Sequence, residues 1–231
     1  ALENIQYIEM FTHKDNIQFN LKRFTVPSIL KSVSQLYIYS TENIHLIEIM
    51  PVLQNLGLHV IDQLATRIGN DQKTLGFIQS FRVIRRDRVL IDEEHYKPLL
   101  EAIVKHVFQK KTENDPLNAL ALLANLDWRE INVLQLYRNY YLQLNAPLTG
   151  ETINMVLLRH PHCSRLLFEA FYTQFSLDPS LGNQEYRQEV LLPEKKQQFI
   201  ESLEQVKQVT DDEVLRSMYE LIENTLRTNF Y

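Results

Sequence analysis

The residues best suited to chemistry sit close together in the second half of the chain, where His160, His162 and the only cysteine, Cys163, fall within four positions. Imidazole and thiolate are good zinc ligands. These three are too close together to form a helical i, i+4 pair, and no second cluster supplies further ligands. The expectation is therefore a helix-breaking turn at His160-Pro161 and not a metal site. A nucleophilic Cys163 would need a base and a third group to orient it. With His160 alone on offer, Cys163 is expected to be a small, semi-buried residue.

Three other groups invite the same question. Arg82, Arg85, Arg86 and Arg88 form the densest basic cluster, to which an anion or an acidic partner could dock. Arg82 and Arg86 share strand parity and Arg85 points the other way, so an exposed strand end is expected. Tyr137, Tyr140 and Tyr141 have helical spacing, which suits packing against a core and its rim better than a recognition patch. The carboxylates Glu93-Glu94 and Asp211-Asp212-Glu213 stand at helix starts, where the helix dipole stabilises negative charge without any acid-base role. No catalytic, cofactor-binding or metal-ligating residue is assigned from the sequence.

Composition narrows the classes further. A chain of 231 residues with 45% hydrophobic content can bury a sizeable core as one large domain or two small ones. A net charge of -5 and a pI near 5.8 argue against a general nucleic-acid or membrane-surface binder. A single cysteine excludes an internal disulfide framework and suits a cytoplasmic location. No run is apolar and long enough to span a bilayer as a helix. The chain starts at Ala1 without a Met and stops at Tyr231 inside a patterned stretch, which leads us to expect a piece of something longer.

The elements that must position these residues are legible in two halves. Residues 17–23 alternate as a strand with one wet face, expected to pair with the strand at Leu36 by a link through Pro27. Residues 35–39 alternate an aliphatic and an aromatic face, and Ser40 to Asn43 is polar enough to turn the chain and cap a helix. Leu46, Ile49, Met50, Leu53 and Leu56 form that helix's apolar stripe, and Gly57 stands where a left-handed cap is needed. Strands follow over 58–65 and 73–86, then a helix from Asp92 with Leu99, Leu100, Ile103, Val107 and Phe108 buried. Residues 1–16 are read as an arm. The order strand, strand, helix, strand, strand, helix predicts α+β, with both helices on one face of an antiparallel or mixed sheet.

From residue 112 the pattern is wholly helical. Asp115-Pro116 opens a short helix, Asp127 to Glu130 has capping-box spacing, and Thr149-Gly150 starts another helix that His160-Pro161 interrupts. A long loop is expected over 178–190, then a helix from Pro193 to about Gln208. Thr210 with Glu213 repeats the capping-box spacing before a last helix through Leu226. The boundaries expected are an α+β domain over 1–111 and a helical domain over 112–231.

Residues 38–62, a strand, turn, helix and Gly-ended return strand, resemble the ACT family of small regulatory domains, whose sheet is ferredoxin-like. In that family a glycine in the turn before the helix lets the backbone approach an amino-acid ligand; here the turn is Thr41-Glu42-Asn43-Ile44, with none. Four landmarks in order, residues 51–62, 125–130, 157–161 and 225–231, resemble the large bacterial NAD-dependent glutamate dehydrogenases. That resemblance implies an enzyme converting L-glutamate to 2-oxoglutarate with hydride passed to NAD, whose catalytic core begins shortly after the last landmark. It further implies a segment that is inactive by itself and binds no NAD. Its implied partners are the catalytic core of the same polypeptide and other subunits of a homo-oligomer, with an amino acid as a possible effector. The residues agree: five glycines occur and none makes a G-x-G-x-x-G after a strand. A non-catalytic regulatory and scaffolding segment is the primary expectation, and an ACT-type amino-acid-sensing module the alternative.

Overall fold

The computed structural model describes residues 17–23, 33–70, 73–144 and 148–230. The expected arm over 1–16 and the link through Pro27 lie outside the described residues. The polypeptide divides into two compact units, Ala1–Leu122 and Leu123–Tyr231, each described by itself. Among the described residues no helix is long and apolar enough to cross a membrane.

The first unit is α+β. Strands β1 (Ile17–Arg23), β2 (Val33–Ser40), β3 (Leu58–Gly69) and β4 (Thr74–Arg85) form a sheet in the order β1-β2-β4-β3, every neighbouring pair antiparallel. Helix α1 (Leu46–Asn55) connects β2 to β3, and α2 (Glu93–Phe108) follows β4. Moving β1 from the front of this sequence to its rear would give the βαββαβ order of ferredoxin-like folds. β1 pairs with β2 as its alternation predicts, Phe19 opposite Ile38 and Leu21 opposite Leu36.

One face of the sheet carries the core. Phe19, Leu21, Leu36, Ile38, Phe81 and Val83 share it by register, each at most 3% exposed, and burying each such side chain stabilises the fold by about 1.5–3 kcal/mol. Both helices lie on this face: Arg85 packs its guanidinium 5.8 Å from the Tyr96 ring of α2, and Gln79 donates to the Ile44 carbonyl just before α1. On the other face Tyr37 stacks on Tyr39 at 6.2 Å, and Asp62 pairs with Arg82 across β3 and β4.

The helix ends differ in detail from expectation. α1 is capped at His45 and not within Ser40 to Asn43; the Glu48 carboxylate reaches back 2.9 Å to accept the His45 N–H. Its buried stripe is Ile49, Val52, Leu53 and Leu56, with Leu46 left 46% exposed in the first turn. In α2 the buried positions are Leu100, Ile103 and Val104, while Val107 and Phe108 are half-buried. Gly57 ends α1 with φ +76°, and a Cβ there would meet the Ala119 Cβ at 3.3 Å. Asn55 donates to the backbone and side-chain oxygens of Asn114, so residues 113–119 pack with the first unit.

The second unit is helical: the end of α3 (Leu120–Ala124), then α4 (Trp128–Gln143), α5 (Gly150–Arg159), α6 (Pro161–Phe175), α7 (Leu192–Leu203) and α8 (Val209–Glu223). Leu134, Leu157, Leu167, Phe171, Leu215 and Met218 form its interior. Asp127 caps α4 through the N–H groups of Arg129 and Glu130 while Glu130 accepts the Asp127 N–H, the reciprocal pair its spacing predicts.

Several expectations fail here. Residues 178–190 are not a loop: Asp178 caps a 3-10 turn (Pro179–Leu181), Gly182 reverses the chain at φ +74°, and Asn183 accepts the Tyr186 N–H to start a helical run. That run passes through a π turn (Arg187–Leu191) directly into α7. Pro193 stands in the first turn of α7 as expected, but the π turn leads straight into that helix, and its wider winding relieves the crowding the proline ring imposes on the carbonyl four residues back. The helix also stops at Leu203, short of Gln208. α8 is capped at Gln208, so Thr210 lies within the helix and its spacing to Glu213 is not used. Leu226 falls beyond the helix end and is 92% exposed.

Candidate functional site

A cavity of about 380 Å³ opens in the first unit where β2 turns into α1, closed on its far side by the last turn of α2. Register places Ser40 and Gln79 on the helix-covered face of the central strands. Both are buried, at 1% and 3% exposure. Ser40 lines the cavity, and Gln79 holds its wall by donating to the Ile44 carbonyl. Yet Ser40 Oγ and Gln79 Oε1 find no hydrogen-bond partner among the described residues. A buried polar atom left unpaired costs about 1–3 kcal/mol, and of these two oxygens it is the Ser40 hydroxyl that belongs to the cavity lining.

The electrostatics of the cavity are bipolar. The α1 N-terminus, with its positive helix-dipole end, faces it from one side, and Lys105, paired with Glu101 at 2.9 Å, adds a cation. Glu42, Glu48 in the first turn of α1 and the α2 C-terminal end add negative charge, so groups of both signs line the cavity. A small molecule carrying both charges matches that lining. Among the described residues, His, Cys, Asp and Glu form no group able to hold a metal ion.

The structure disperses the groups picked out by residue type. His160 Nε2 meets Asp211 Oδ2 at 2.8 Å, His162 is exposed, and Cys163 is buried with its thiol donating to Ser202 Oγ at 3.3 Å. Burial pushes the Cys163 thiol up, away from a reactive thiolate. Arg82 is held by Asp62, and Arg85 is not at an exposed strand end: it is 7% exposed and clamped by both oxygens of Asp87. Arg86 and Arg88 are exposed beyond the end of β4. Tyr137 is buried and donates to Thr225 Oγ1, Tyr141 is half-buried, and Tyr140 stands 45% exposed. Glu93 and Glu94 stand in the first turn of α2 as expected. Asp211 is not solvated. Burial raises its carboxyl, but hydrogen bonds from His160 and Arg159 outweigh that and hold it below the usual range. Asp212 pairs with Arg216, and Glu213 is exposed.

Two family models match the chain in order, one described as glutamate dehydrogenase, ACT3 domain, over residues 30–96, and one as glutamate dehydrogenase, helical motif 3, over residues 112–177. NAD-specific glutamate dehydrogenases from Pseudomonas aeruginosa and Halomonas elongata are 30% and 31% identical over 189 residues, 80% and 81% of this chain. The chain fits a segment of a large NAD-specific glutamate dehydrogenase. A third such protein, from Mycobacterium tuberculosis, is 24% identical over 80% of the chain. The chain spans only 11% of the length of each of these relatives. Within the glutamate dehydrogenase segment, the ACT3 match covers β2, α1, β3 and β4, and so the turn that opens the cavity. The helical motif covers α3 to α6, including the Asp127 cap and the corner at His160.

The sequence reading passed over Ser40 and Gln79. Gln79 left a signal: it stands between Phe77 and Phe81 on the parity that must be buried. A polar residue there has to find a partner.

Proposed function

We propose that this segment is a non-catalytic regulatory and scaffolding part of a large NAD-dependent glutamate dehydrogenase. The parent enzyme oxidatively deaminates L-glutamate to 2-oxoglutarate with hydride passed to NAD, and NAD is held elsewhere in the polypeptide. The observation that carries this reading is the ordered match of the ACT3 domain and the helical motif, within relatives of which the match covers only 11%. The turn from β2 into α1, a strand-to-helix junction, contains no glycine to cradle a pyrophosphate, which agrees with that reading. The segment's nearest partner is then the catalytic core of the same chain, in a cytoplasmic homo-oligomer. An exposed edge strand supports such contacts: β3 is outermost in the sheet, and Ile61 and Leu64 on it are 47% and 67% exposed. The test is glutamate-dependent NADH formation by the 231-residue chain. None is expected, and turnover would overturn the reading.

A second reading, amino-acid sensing by the ACT-type unit, is favoured by the cavity at the β2 to α1 turn. Its unpartnered Ser40 hydroxyl and its lining groups of both charges suit an α-amino acid. Calorimetric titration of the chain with the twenty amino acids tests this, and silence across all of them would retire it.

A further inference from the structure

The helical unit holds a second cavity, of about 410 Å³, bounded by α6, α8 and the run that leads from the π turn into α7. Its volume is within the range of small-molecule sites. Leu192, Pro193 and Ile222 supply an aliphatic part of the lining. The polar part is particular. Tyr219 is 6% exposed and stacks on Phe199 at 4.6 Å, yet its hydroxyl has no hydrogen-bond partner among the described residues. Burial, and then the charge of Glu223, push that phenol up to about 12, so it stays a neutral donor. Gln188, carried on the π turn, also lines the cavity, with its side chain exposed to solvent. π turns recur at functional sites because they re-aim side chains that a regular helix would point elsewhere.

At the mouth, Lys196 Nζ meets Glu223 Oε1 at 2.7 Å, both side chains about half exposed. A rim with one cation and one anion penalises any ligand with a single charge, since an anion meets Glu223 and a cation meets Lys196. A net-neutral molecule carrying both charges can exchange into that exposed pair, which holds itself together only weakly. Its carboxylate would take Lys196, its ammonium Glu223, and its body would leave water for the aliphatic residues while the Tyr219 hydroxyl gains a partner.

We infer that this cavity binds a small aliphatic α-amino acid, at a site independent of the cavity in the ACT-type unit. The experiment is calorimetric titration of the 231-residue chain with L-alanine, L-valine and L-leucine, with isobutyrate and isobutylamine as single-charge controls. Saturable binding of at least one amino acid and neither control is expected. Tyr219→Phe, which keeps the ring stack, should weaken that binding about tenfold, as loss of one hydrogen bond in a desolvated site implies. Lys196→Met should weaken it at least as much, whereas Ser40→Val in the first cavity should leave it unchanged. Absence of saturable binding, equal binding of isobutyrate, or loss of binding only in Ser40→Val would overturn the assignment.

Discussion

His160 donates from Nε2 to Asp211 Oδ2 over 2.8 Å, tying the corner between α5 and α6 to the first turn of α8. Arg159 reaches the same oxygen at 2.7 Å and extends to Gln208 Oε1. The carboxylate is nearly buried, so its charge is held by these partners and not by water. Asp211→Asn should therefore lower the stability of the chain at neutral pH by about 2 kcal/mol, the scale of hydrogen bonds to a charged group. The pH dependence has a definite sign. The folded-state carboxyl is depressed, so its contribution is complete above the unfolded value near 3.9 and is lost as pH falls through the folded value below it. Urea unfolding of both proteins should show a constant gap from pH 5 to 8 that closes below about pH 4.

Gly57 offers a test of the α1 to β3 turn. Its φ of +76° excludes most side chains, and Ala119 blocks the space a Cβ would occupy at 3.3 Å. Gly57→Ala should cost about 1–2 kcal/mol, the left-handed penalty plus the displaced contact. A substitution at exposed Leu46, on the same helix, should be nearly neutral. Thermal melts of both variants check the contrast.

Local signals made much of this fold legible and distant partners account for the rest. The aliphatic and aromatic faces at residues 36–39, the left-handed Gly57 and the Asp127 with Glu130 capping box depend on neighbours within a turn, and each forms as its residues dictate. Thr210 with Glu213 has the same spacing as that capping box but goes unused, because Asp211 between them is drawn to partners some fifty residues earlier. Residues 178–190 contain the proline, glycine and asparagine of a loop. Each is spent on a small local turn, so a tight helical entry results instead. Candidate chemistry suffered most: residue type singled out His160 and Cys163, whose side chains go to Asp211 and Ser202, whereas Ser40 and Gln79 acquire meaning only when two strands and two helices close over them.

Ser40 sets stability against function. Its buried hydroxyl has no partner among the described residues, so Ser40→Ala removes a desolvation cost without breaking a bond seen there. The variant should be as stable as the parent chain, or more stable by up to about 1 kcal/mol. If the cavity at the β2 to α1 turn holds an amino acid through that oxygen, the same change should weaken binding about tenfold. Melting temperature measured with and without the amino acid separates the two effects. A Ser40→Ala chain that melts markedly lower in the absence of any amino acid would show the hydroxyl to be a structural bond donor, contrary to this account.

Cys163 tests the interior of the helical unit. Cys163 is 3% exposed, its thiol donates to Ser202 Oγ, and burial pushes it up. Ser202 in turn donates its hydroxyl to the Phe199 carbonyl at 2.6 Å, so the pair is a hydrogen-bond chain into the backbone of α7 and not an activating base. A thiol reagent at pH 8 should therefore modify the native chain at least about a hundredfold more slowly than the urea-unfolded chain, because both access and thiolate fraction are suppressed. Ser202→Ala should leave that protection in place while lowering stability by about 1 kcal/mol through the lost hydrogen bonds. Rapid labelling of the native chain would place Cys163 at the surface and contradict the packing of α6 against α7.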